Sequence, residues 1–427
     1  MKPGLLSFDE ALAQLMARAV PVEGTELVPT IESAGRVVAQ DQRSTLNVPP
    51  MDNTERDGYA LRCADLGTGD APARLRVAQR IPAGHLGEPL QPGTAARIFT
   101  GAGIPEGADA VVMQEDASVD GDQVAIGARP EPGQWIRRAG EDIREGAVIL
   151  PAGTRLSPQA TGLAASVGLA SLPVRRRVRA ACFFTGDELV MPGEPLPPGA
   201  IYNSNRFVLG ALLRALGCEV TDLGIVPDSL EATRAALREA ARGNDLIVTS
   251  GGVSVGDEDH VRPAVQAEGQ IDLWQIAIKP GKPLAHGRVR NGGGDDRGDL
   301  GGGGGSGGSS AGSGFAHFIG LPGNPVSSFV TFLLFVRPFL LRLQGAQSVA
   351  PPVLTMRADF DWPRPDRRRE FLRARVNAEG GLDLFPNQSS AVLTSTVWGD
   401  GLIDNPPGQA IARGETVRFL PFAGLLS

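Results

Sequence analysis

The sequence is poor in cysteine, in aromatic residues and in positive charge. Its three cysteines, Cys63, Cys182 and Cys218, are too few and too widely spaced for a disulfide framework or a CxxC metal site, so we expect reduced, packed thiols. Aromatic residues form only 5% of the chain, which leaves few platforms for stacking on single-stranded bases. The net charge of −7 also argues against non-specific binding to nucleic acid. We therefore expect no nucleic-acid partner.

Features of membrane and exported proteins are missing as well. The chain has no run of about eighteen apolar residues, which a membrane-spanning helix needs. The N-terminal segment MKPGLLSFDEALAQLMARAV lacks the basic start and the small-residue cleavage site of a secretory signal. We expect a cytoplasmic protein with no membrane partner. A length of 427 residues suggests roughly three domains of about 150 residues.

The first part of the chain predicts a β unit inserted into a helical one. SFDEALAQLMARAV predicts an amphipathic helix that Ser7 caps and Glu10 completes as a capping box. Residues 46–142 contain short alternating runs such as ARLRVAQRI and AVVMQED, which predict a β subdomain. A second helical stretch, PQATGLAASVGL, follows within residues 143–177. We expect this stretch to pack near the first helix, because both flank the β insertion, and residues 1–45 and 143–177 to form one discontinuous linker domain.

The second part of the chain predicts an α/β domain followed by a β domain. Over residues 178–345 the segments RAACFFT, NRFVLGALLRALG, EVTDLGIV, SLEATRAALREAARG and DLIVTSGG alternate as strand and helix, which predicts a mostly parallel sheet in an α/β/α sandwich. The Gly/Ser-rich stretch at 291–314 is typical of a flexible loop inserted into a hairpin. Residues 346–427 contain VLTMRADF, REFLRARVN, LDLFP and ETVRFLPF, which predict a barrel-like β domain. The expected fold class is multidomain α/β plus β.

Two motifs begin where predicted parallel strands end, which is where open α/β sheets bind ligands. The first, TGDELV, contributes Thr185, Asp187 and Glu188, and the nearby GIVPD contributes Asp228. The second, SGGVSVGDED, offers backbone N–H groups to an oxyanion and carboxylates to a divalent metal that bridges phosphates. An isolated Gly-rich turn with an acidic helix start is an equally ordinary structural feature. The residues of this second motif that we single out are Ser250, Gly251, Gly252, Ser254, Gly256, Asp257, Glu258 and Asp259.

Two rigid turns and one polar region are further candidates. IKPGKP places Lys279 and Lys282 around a Pro-Gly turn, where both ammonium groups could reach one anion, although solvated surface lysines are the alternative. GLPGNPVSS is either a ligand-binding turn or a structural one in which Asn324 and Ser327 cap the next helix. DNTERDGYAL and RIFTGAGIPEGADAVV read, taken alone, as β-turns with polar caps.

Eight ordered segments together resemble the MoeA family, whose eukaryotic relative is the gephyrin E domain, from about residue 7 to the C-terminus. They are DNTERDGYAL, RIFTGAGIPEGADAVV, GEDIREG, FFTGDELV, IYNSNRFVL, SGGVSVGDED, IKPGKPLAHG and GLPGNPVSS. The resemblance implies a molybdopterin molybdenumtransferase that converts adenylylated molybdopterin and molybdate into molybdenum cofactor and AMP with the help of Mg²⁺. It also implies an elongated four-domain homodimer, in which the α/β domain is MogA-like and the discontinuous linker domain mediates dimerisation.

The resemblance further implies a role for each candidate residue. Catalysis would involve Asp259, Asp228, Glu188, Asp57 and Thr100, the first three also holding the metal. The pterin nucleotide would contact Thr185, Gly186, Asp187, Ser250, Gly251, Gly252, Ser254, Pro322, Gly323 and Asn324. Molybdate or phosphate would contact Lys279, Lys282, Arg369 and Ser390. Asp57 and Thr100 would reach the site across the dimer interface.

The sequence departs from the family pattern at three places. Arg56 replaces the usual Met before Asp-Gly-Tyr-Ala, the Gly/Ser-rich insertion spans 291–314, and TSTVWGDGLI near Ser390 is atypical. One rival function is that of a MogA-like adenylyltransferase, which the extra domains argue against. The other is a binding scaffold without turnover, which the intact Asp228, Asp259, Lys279 and Lys282 argue against. We expect transient contact with a MogA-like adenylyltransferase and with enzymes that receive the cofactor.

Deleting the Gly/Ser-rich insertion is expected to preserve activity. Lengthening a flexible loop costs only about 0.6 kcal/mol for each doubling of its length, so shortening it changes stability little. Molybdate-dependent AMP release and thermal unfolding of the deletion variant measure both quantities. Loss of activity at unchanged thermal stability would show that the insertion acts as a functional lid.

Overall fold

The computed structural model describes residues 5–69, 71–253, 260–291 and 314–426. Helix α1 (Phe8–Met16) begins at the predicted capping box, in which the Ser7 hydroxyl accepts the Glu10 N–H at 3.2 Å and the Glu10 carboxylate accepts the Ser7 N–H at 2.9 Å. This prediction is confirmed. Strands β1 (Thr25–Pro29) and β2 (Gln42–Arg43) follow.

The next region is the predicted β subdomain. Its main sheet has six strands in the order β7-β4-β6-β5-β9-β8, and a short pair, β3 and β10, flanks it. The predicted strand ARLRVAQRI coincides with β5, and AVVMQED begins with β7. The strands are β3 (Asn53–Thr54), β4 (Gly58–Leu61), β5 (Ala73–Ile81), β6 (Thr94–Ile98), β7 (Ala110–Met113), β8 (Ala117–Asp120), β9 (Gln123–Ile126) and β10 (Ile136–Arg137).

The segments on either side of this subdomain join each other. After it come β11 (Val148–Leu150), α2 (Pro158–Ser166) and β12 (Ser171–Arg175). Strand β12 pairs antiparallel with β1, and β11 pairs antiparallel with β2. These pairings bring the two flanking segments into one unit, although the exact domain boundaries stay predictions.

The prediction that the second helix packs near the first is wrong, because the two helices belong to different hydrophobic clusters. Ala11 and Leu15 of α1 are buried in the core of the α/β domain, and the Phe8 ring lies 5.2 Å from that of Phe335. Helix α2 buries Ala164 in a separate cluster, against Leu172 of β12. The apolar side of α1 packs on the large α/β core, whereas α2 buries only Ala164.

The α/β domain is built on a mixed sheet of six strands in the order β16-β13-β17-β21-β20-β18. The pairings among β16, β13, β17 and β21 are parallel. Those of β20 with β21 and with β18 are antiparallel, because among the described residues no crossover helix lies between these consecutive neighbours. The elements are β13 (Arg179–Thr185), β14 (Leu189–Val190), β15 (Ile201–Tyr202), α3 (Ser204–Ala215), β16 (Glu219–Val226), α4 (Leu230–Ala241), β17 (Leu246–Ser250), α5 (Val261–Glu268), β18 (Gly269–Gln275), β19 (Ile278–Lys279), β20 (Pro283–Arg290), β21 (Phe315–Leu321), α6 (Pro325–Thr331) and α7 (Arg337–Leu343).

The hairpin prediction for the Gly/Ser-rich stretch is confirmed at its two ends. Arg290 of β20 pairs with Phe315 of β21 in antiparallel register, so the insertion connects two hydrogen-bonded neighbours. Residues 292–313 themselves lie outside the described part of the chain.

In the part of the chain that the structure describes, one helix is long and apolar enough to cross a membrane by length and composition. It runs through α6, a π-helical turn (Phe332–Val336) and α7, and 94% of its apolar window is buried inside the protein. Its residues belong to the same core as β13 and β17. It is therefore the central helix of the α/β core.

The same core contains Cys182 and Cys218, and burial raises the pKa of each thiol to about 12. Cys63, Cys182 and Cys218 are free cysteines, as expected.

The C-terminal β domain is joined to the α/β domain by strand pairing. Its sheet has the order β19-β23-β25-β26-β22, with β24 paired to β23, so that β19 of the α/β domain forms one edge. All four predicted strands are present, whereas β25 and the short α8 escaped prediction because they lie in the atypical segment TSTVWGDGLI. The elements are β22 (Leu354–Arg357), β23 (Arg369–Val376), β24 (Leu382–Leu384), α8 (Thr394–Trp398), β25 (Gly401–Asn405), β26 (Thr416–Pro421) and α9 (Phe422–Leu425).

Candidate functional site

A cavity of about 750 Å³ lies where the carboxyl ends of β13, β17 and β21 face the C-terminal β domain. Most of the predicted site residues in the described part of the chain line it. From the strand ends come Thr185, Gly186, Glu188, Asp228, Gly251, Gly252, Pro322, Gly323 and Asn324, and from the loops opposite come Lys279, Lys282 and Ser390. Sequence analysis missed Arg368, Gln388 and Ser389, which line the cavity as well. The cavity thus combines backbone turns, carboxylates and cations.

The Ser-Gly-Gly turn after β17 forms one wall through backbone conformations that favour glycine. Gly251 has φ +100° and Gly252 has φ +61°. A Cβ on Gly251 would lie 2.8 Å from the Thr185 carbonyl oxygen, and one on Gly252 would lie 2.6 Å from a methyl group of Val261. The Thr185 side chain beside them is 5% exposed, and among the described residues its hydroxyl has no hydrogen-bond partner. A bound ligand would satisfy that hydroxyl.

Ser250 lies behind this wall and does not line the cavity. Its side chain is 3% exposed, and its hydroxyl accepts a hydrogen bond from Asn205 Nδ2 at 2.7 Å and donates one to the Pro322 carbonyl at 3.0 Å. Asn205 Nδ2 also donates to the Gly323 carbonyl at 2.8 Å. The pair therefore ties the Ser-Gly-Gly turn to the Pro-Gly-Asn turn. Sequence analysis assigned Ser250 to ligand contact and singled out no role for Asn205, although both lie in the motifs that it quoted.

The Lys-Pro-Gly-Lys loop supplies the opposite wall. Lys279 Nζ lies 3.3 Å from the Glu370 carboxylate and 3.5 Å from that of Asp366. Glu370 has no exposed side-chain surface, so it anchors Lys279 from inside the C-terminal domain. Lys282 makes no ion pair within the described ranges, which leaves its ammonium group available to an anion. Both lysines line the same cavity, and the binding of one anion by their two ammonium groups stays a prediction.

Arg368, one position before the predicted Arg369, is the arginine that lines the cavity. Its guanidinium contacts Asp366 at 2.9 and 3.0 Å, and these hydrogen bonds hold the pKa of the Asp366 carboxyl well below its usual range. Arg369 instead binds Asp404 at 2.6 and 2.7 Å and stacks on the Phe8 ring at 4.6 Å. Arg368 lies in the bend before β23, where its N–H donates to Asp366 Oδ1 at 3.0 Å, whereas Arg369 is the first residue of the strand. The two neighbouring side chains therefore reach different surfaces.

The acidic residues also differ in whether they line the cavity. Glu188 and Asp228 line the cavity, whereas Asp187 does not, and its Oδ1 accepts the Asp228 N–H at 3.3 Å. Within the described ranges, no group of three or more His, Cys, Asp or Glu residues is arranged to hold a metal. Mg²⁺ commonly uses only one or two protein carboxylates and completes its shell with water and phosphate oxygens. Glu188 and Asp228 therefore fit such an ion, and the predicted Ser254 and Asp259 lie outside the described residues.

Asn324 occupies the N-cap position of α6 without capping it. Its side chain makes no capping hydrogen bond, and Pro325 fills the first helical position. The prediction of side-chain capping by Asn324 is therefore wrong, and the side chain lines the cavity instead. Ser390 stands opposite: its carbonyl accepts the Val326 N–H at 3.1 Å, which links the C-terminal loop to this helix.

Three protein families match successive parts of the chain. Residues 6–168 match the MoeA N-terminal region (domain I and II), residues 181–342 the probable molybdopterin binding domain, and residues 355–422 the MoeA C-terminal region (domain IV). A molybdopterin molybdenumtransferase of Haemophilus influenzae is 37% identical over 99% of this chain and 100% of its own length. The chain belongs to the MoeA family. It is an enzyme of the transferase class with a role in molybdenum cofactor biosynthesis.

Two further relatives support the assignment of this enzyme to the MoeA family. A molybdopterin molybdenumtransferase of Nostoc is 36% identical over 93% of this chain and 89% of its own length. The crystal structure of a molybdopterin biosynthesis MoeA protein from Pyrococcus horikoshii OT3 superimposes with a TM-score of 0.79 at 28% identity, covering 98% of this chain and 100% of the other. The multidomain α/β plus β architecture is thus that of a solved MoeA protein.

Two predicted site residues of this MoeA-family enzyme lie in the β subdomain. Asp57 Oδ1 accepts hydrogen bonds from the Thr100 N–H and hydroxyl, both at 2.8 Å, and these bonds lower the pKa of the Asp57 carboxyl. Neither residue lines the cavity of its own chain. Their approach to a partner's cavity stays a prediction. Arg56, which replaces the usual Met, stacks on the Trp135 ring at 4.8 Å.

Gly281→Ala is expected to weaken anion binding about 10-fold by displacing the Lys-Pro-Gly-Lys loop. Gly281 has φ +107°, and an added Cβ would overlap the Thr331 hydroxyl. Gly193→Ala is the matched control, because Gly193 has φ +97° but open space around its Cβ position. Calorimetric titration with molybdate measures the affinity of each variant. Equal losses of molybdate affinity in both variants would attribute the effect to backbone strain. They would contradict displacement of the loop by the overlap with Thr331.

Proposed function

We propose that this enzyme binds adenylylated molybdopterin and molybdate in the 750 Å³ cavity and releases AMP as molybdenum enters the pterin dithiolene. The observation that carries the proposal is the meeting of three cations with two carboxylates in one cavity. The cations are Lys279, Lys282 and Arg368, and the carboxylates are Glu188 and Asp228. Such a set can hold two anions and a divalent cation side by side.

The cations would form the oxyanion side of the cavity. Lys279 and Arg368 both contact Asp366, so the protein holds them in place before any ligand binds. Lys282 would bring its uncompensated charge to the molybdate or phosphate oxygens. Charge-assisted hydrogen bonds from such donors are stronger than neutral ones, and prepositioned donors need no reorganisation during the reaction.

The glycine turn would form the nucleotide side of the cavity. The backbone of Gly251 and Gly252 allows an anion to approach closely, and the Thr185 hydroxyl is ready to bind it. Glu188 and Asp228 would hold Mg²⁺ beside the phosphates. When bound, Mg²⁺ withdraws charge from the phosphoanhydride oxygens as a Lewis acid. The resemblance to the MoeA family implies Asp259 as a third metal-binding carboxylate, and Asp259 lies outside the described residues.

An AMP-release assay tests the proposed reaction. The purified protein is mixed with adenylylated molybdopterin and Mg²⁺, with and without molybdate. We expect AMP and molybdenum cofactor only when molybdate is present. A MogA-like adenylyltransferase would instead consume ATP to make the adenylylated substrate, and a binding scaffold would release no AMP. Either of these results contradicts the proposal.

We also propose a homodimer in the cytoplasm. Asp57 and Thr100 support the dimer, since their hydrogen-bonded pair does not line the cavity of its own chain. Mixing an Asp57→Asn chain with an Asp228→Asn chain tests this arrangement. If each cavity takes Asp57 from its partner, the mixed dimer carries one cavity with both defects and one without any. Recovery of about half of the activity per mixed dimer is expected, and no recovery on mixing contradicts shared sites.

A further inference from the structure

Arg373 is an unusual buried cation in the C-terminal domain. Among the described residues it is the one arginine with no exposed surface. It lies on β23, the strand that begins beside the cavity at Arg369 and pairs with β19. Removing a guanidinium from water is costly, so buried cations are normally paired with a carboxylate.

Arg373 has only neutral partners in the part of the chain that the structure describes. Its Nε donates to the Ser395 hydroxyl at 3.1 Å, its Nη1 to the Phe371 carbonyl at 3.3 Å and its Nη2 to the Ser389 carbonyl at 3.2 Å. Burial lowers the pKa of the Arg373 guanidinium to about 10, which still leaves it protonated at neutral pH. The positive charge is therefore retained without an ion pair.

The backbone and the side chain of Arg373 both bind the loop of residues 388–390, which lines the cavity. The Arg373 N–H donates to Gln388 Oε1 at 2.9 Å, and the Arg373 carbonyl accepts from Gln388 Nε2 at 3.0 Å. Together with the bond to the Ser389 carbonyl, these contacts fix two neighbouring residues that line the cavity. The loop thus has little freedom relative to β23.

These contacts determine which groups of the loop face the ligand. The Ser389 carbonyl is held by Arg373, and the Ser390 carbonyl is held by the Val326 N–H at 3.1 Å. Both carbonyl oxygens, which would repel an oxyanion, are thereby engaged by donors. Within the described ranges the Ser390 N–H and hydroxyl have no hydrogen-bond partner, and Ser390 lines the cavity. They remain as donors for an anion.

We propose that Arg373 is a positioning residue for the molybdate subsite, acting through Ser389 and Ser390 and adding a buried positive charge behind them. The inference rests on the proposed function. The bound oxyanion would be the charge that compensates Arg373, since fields act over longer distances where water is excluded. Loss of Arg373 should then weaken molybdate binding more than pterin-nucleotide binding.

The test compares four purified full-length proteins by calorimetric titration with molybdate: the unmodified chain, Arg373→Met, Arg373→Lys and Arg375→Met. Arg375 lies on the same strand but is 46% exposed and stacks on Trp398, so it serves as the matched control. Thermal unfolding and circular dichroism establish that each protein is folded. A second titration with adenylylated molybdopterin separates the two ligands.

We expect Arg373→Met to raise the molybdate Kd about 10-fold. A change of this size corresponds to losing about one charge-assisted hydrogen bond between the loop and the anion. Arg373→Lys keeps the charge and should lose less, and Arg375→Met should match the unmodified protein. The Kd for adenylylated molybdopterin should change less than twofold in every variant. Equal weakening of both ligands, or unchanged molybdate affinity in folded Arg373→Met, overturns the inference and leaves Arg373 as a structural brace.

Two further results keep the test decisive. If Arg373→Met does not fold, Arg373→Gln removes the charge but keeps an N–H donor for the Ser389 carbonyl, and unchanged molybdate affinity of folded Arg373→Gln then overturns the inference. An unmodified protein that binds molybdate but releases no AMP contradicts the proposed function while the positioning role of Arg373 stands. An unmodified protein that binds no molybdate overturns both.

Discussion

Arg368→Met is expected to lower kcat/KM for molybdate about 100-fold, while Arg369→Met lowers stability instead. Arg368 lines the cavity and would contact the oxyanion, and removing one preorganised donor of this kind typically costs 10²–10³ in rate, roughly. The Arg368 variant should unfold near the temperature of the unmodified protein, because Asp366 keeps Lys279 as a partner.

Arg369→Met should show the opposite pattern. It leaves Asp404, which is 3% exposed, with Arg418 as its remaining cation at 3.1 Å. Breaking a buried ion pair costs about 3 kcal/mol. Molybdate-dependent AMP release and thermal unfolding of the two variants measure both effects. A large loss of molybdate affinity in a stable Arg369→Met protein would restore the original sequence-based assignment and refute the structural one.

Asp228→Asn is expected to lower AMP release about 100-fold at limiting Mg²⁺, and Glu188→Gln to have a similar effect. Among the described residues, each change removes one of the two carboxylates that line the cavity next to the glycine turn. Because the remaining carboxylate still attracts the cation, raising Mg²⁺ should recover part of the rate. Chelation of Mg²⁺ should reduce all variants to the same low rate.

Asp187→Asn is the matched control for the metal-binding assignment. Asp187 belongs to the same TGDEL motif as Glu188, but it does not line the cavity, and an asparagine oxygen can still accept the Asp228 N–H. Its Mg²⁺ dependence should match that of the unmodified enzyme. A titration in which Asp228→Asn needs no more Mg²⁺ than Asp187→Asn does would remove Asp228 from the metal site.

Capping residues and hydrophobic periodicity predicted helices and strands correctly where these local signals are strong. The capping box at Ser7, the strand ARLRVAQRI and the parallel strands before TGDEL and SGG all carry strong periodic signals, and the structure contains each of them. The prediction of the element against which α1 packs failed. An amphipathic face indicates that a helix packs on a core, but it does not identify that core. Strand β25 was missed because GLIDN is short and follows a segment without clear periodicity.

The candidate site shows the same division at the level of single residues. Motif position placed Glu188 at the cavity, since turns after parallel strands meet at one edge of the sheet. Lys279 and Lys282, which the sequence placed around a rigid Pro-Gly turn, line the same cavity. Motif position did not separate Arg368 from Arg369, because the side that each residue faces depends on the register between β19 and β23. Nor did it show that Ser250 braces the wall from behind.

The sequence by itself determined the family, the order of the structural units and the motifs that turn toward the ligand, because strand ends, glycine turns and capping residues act over a few neighbouring positions. Only the tertiary structure decided which arginine enters the cavity, which carboxylates face it and how Glu370 and Arg373 hold the cations and loops from inside the C-terminal domain. Those choices depend on contacts between residues about a hundred positions apart, such as Lys279 with Glu370, and no local pattern encodes them.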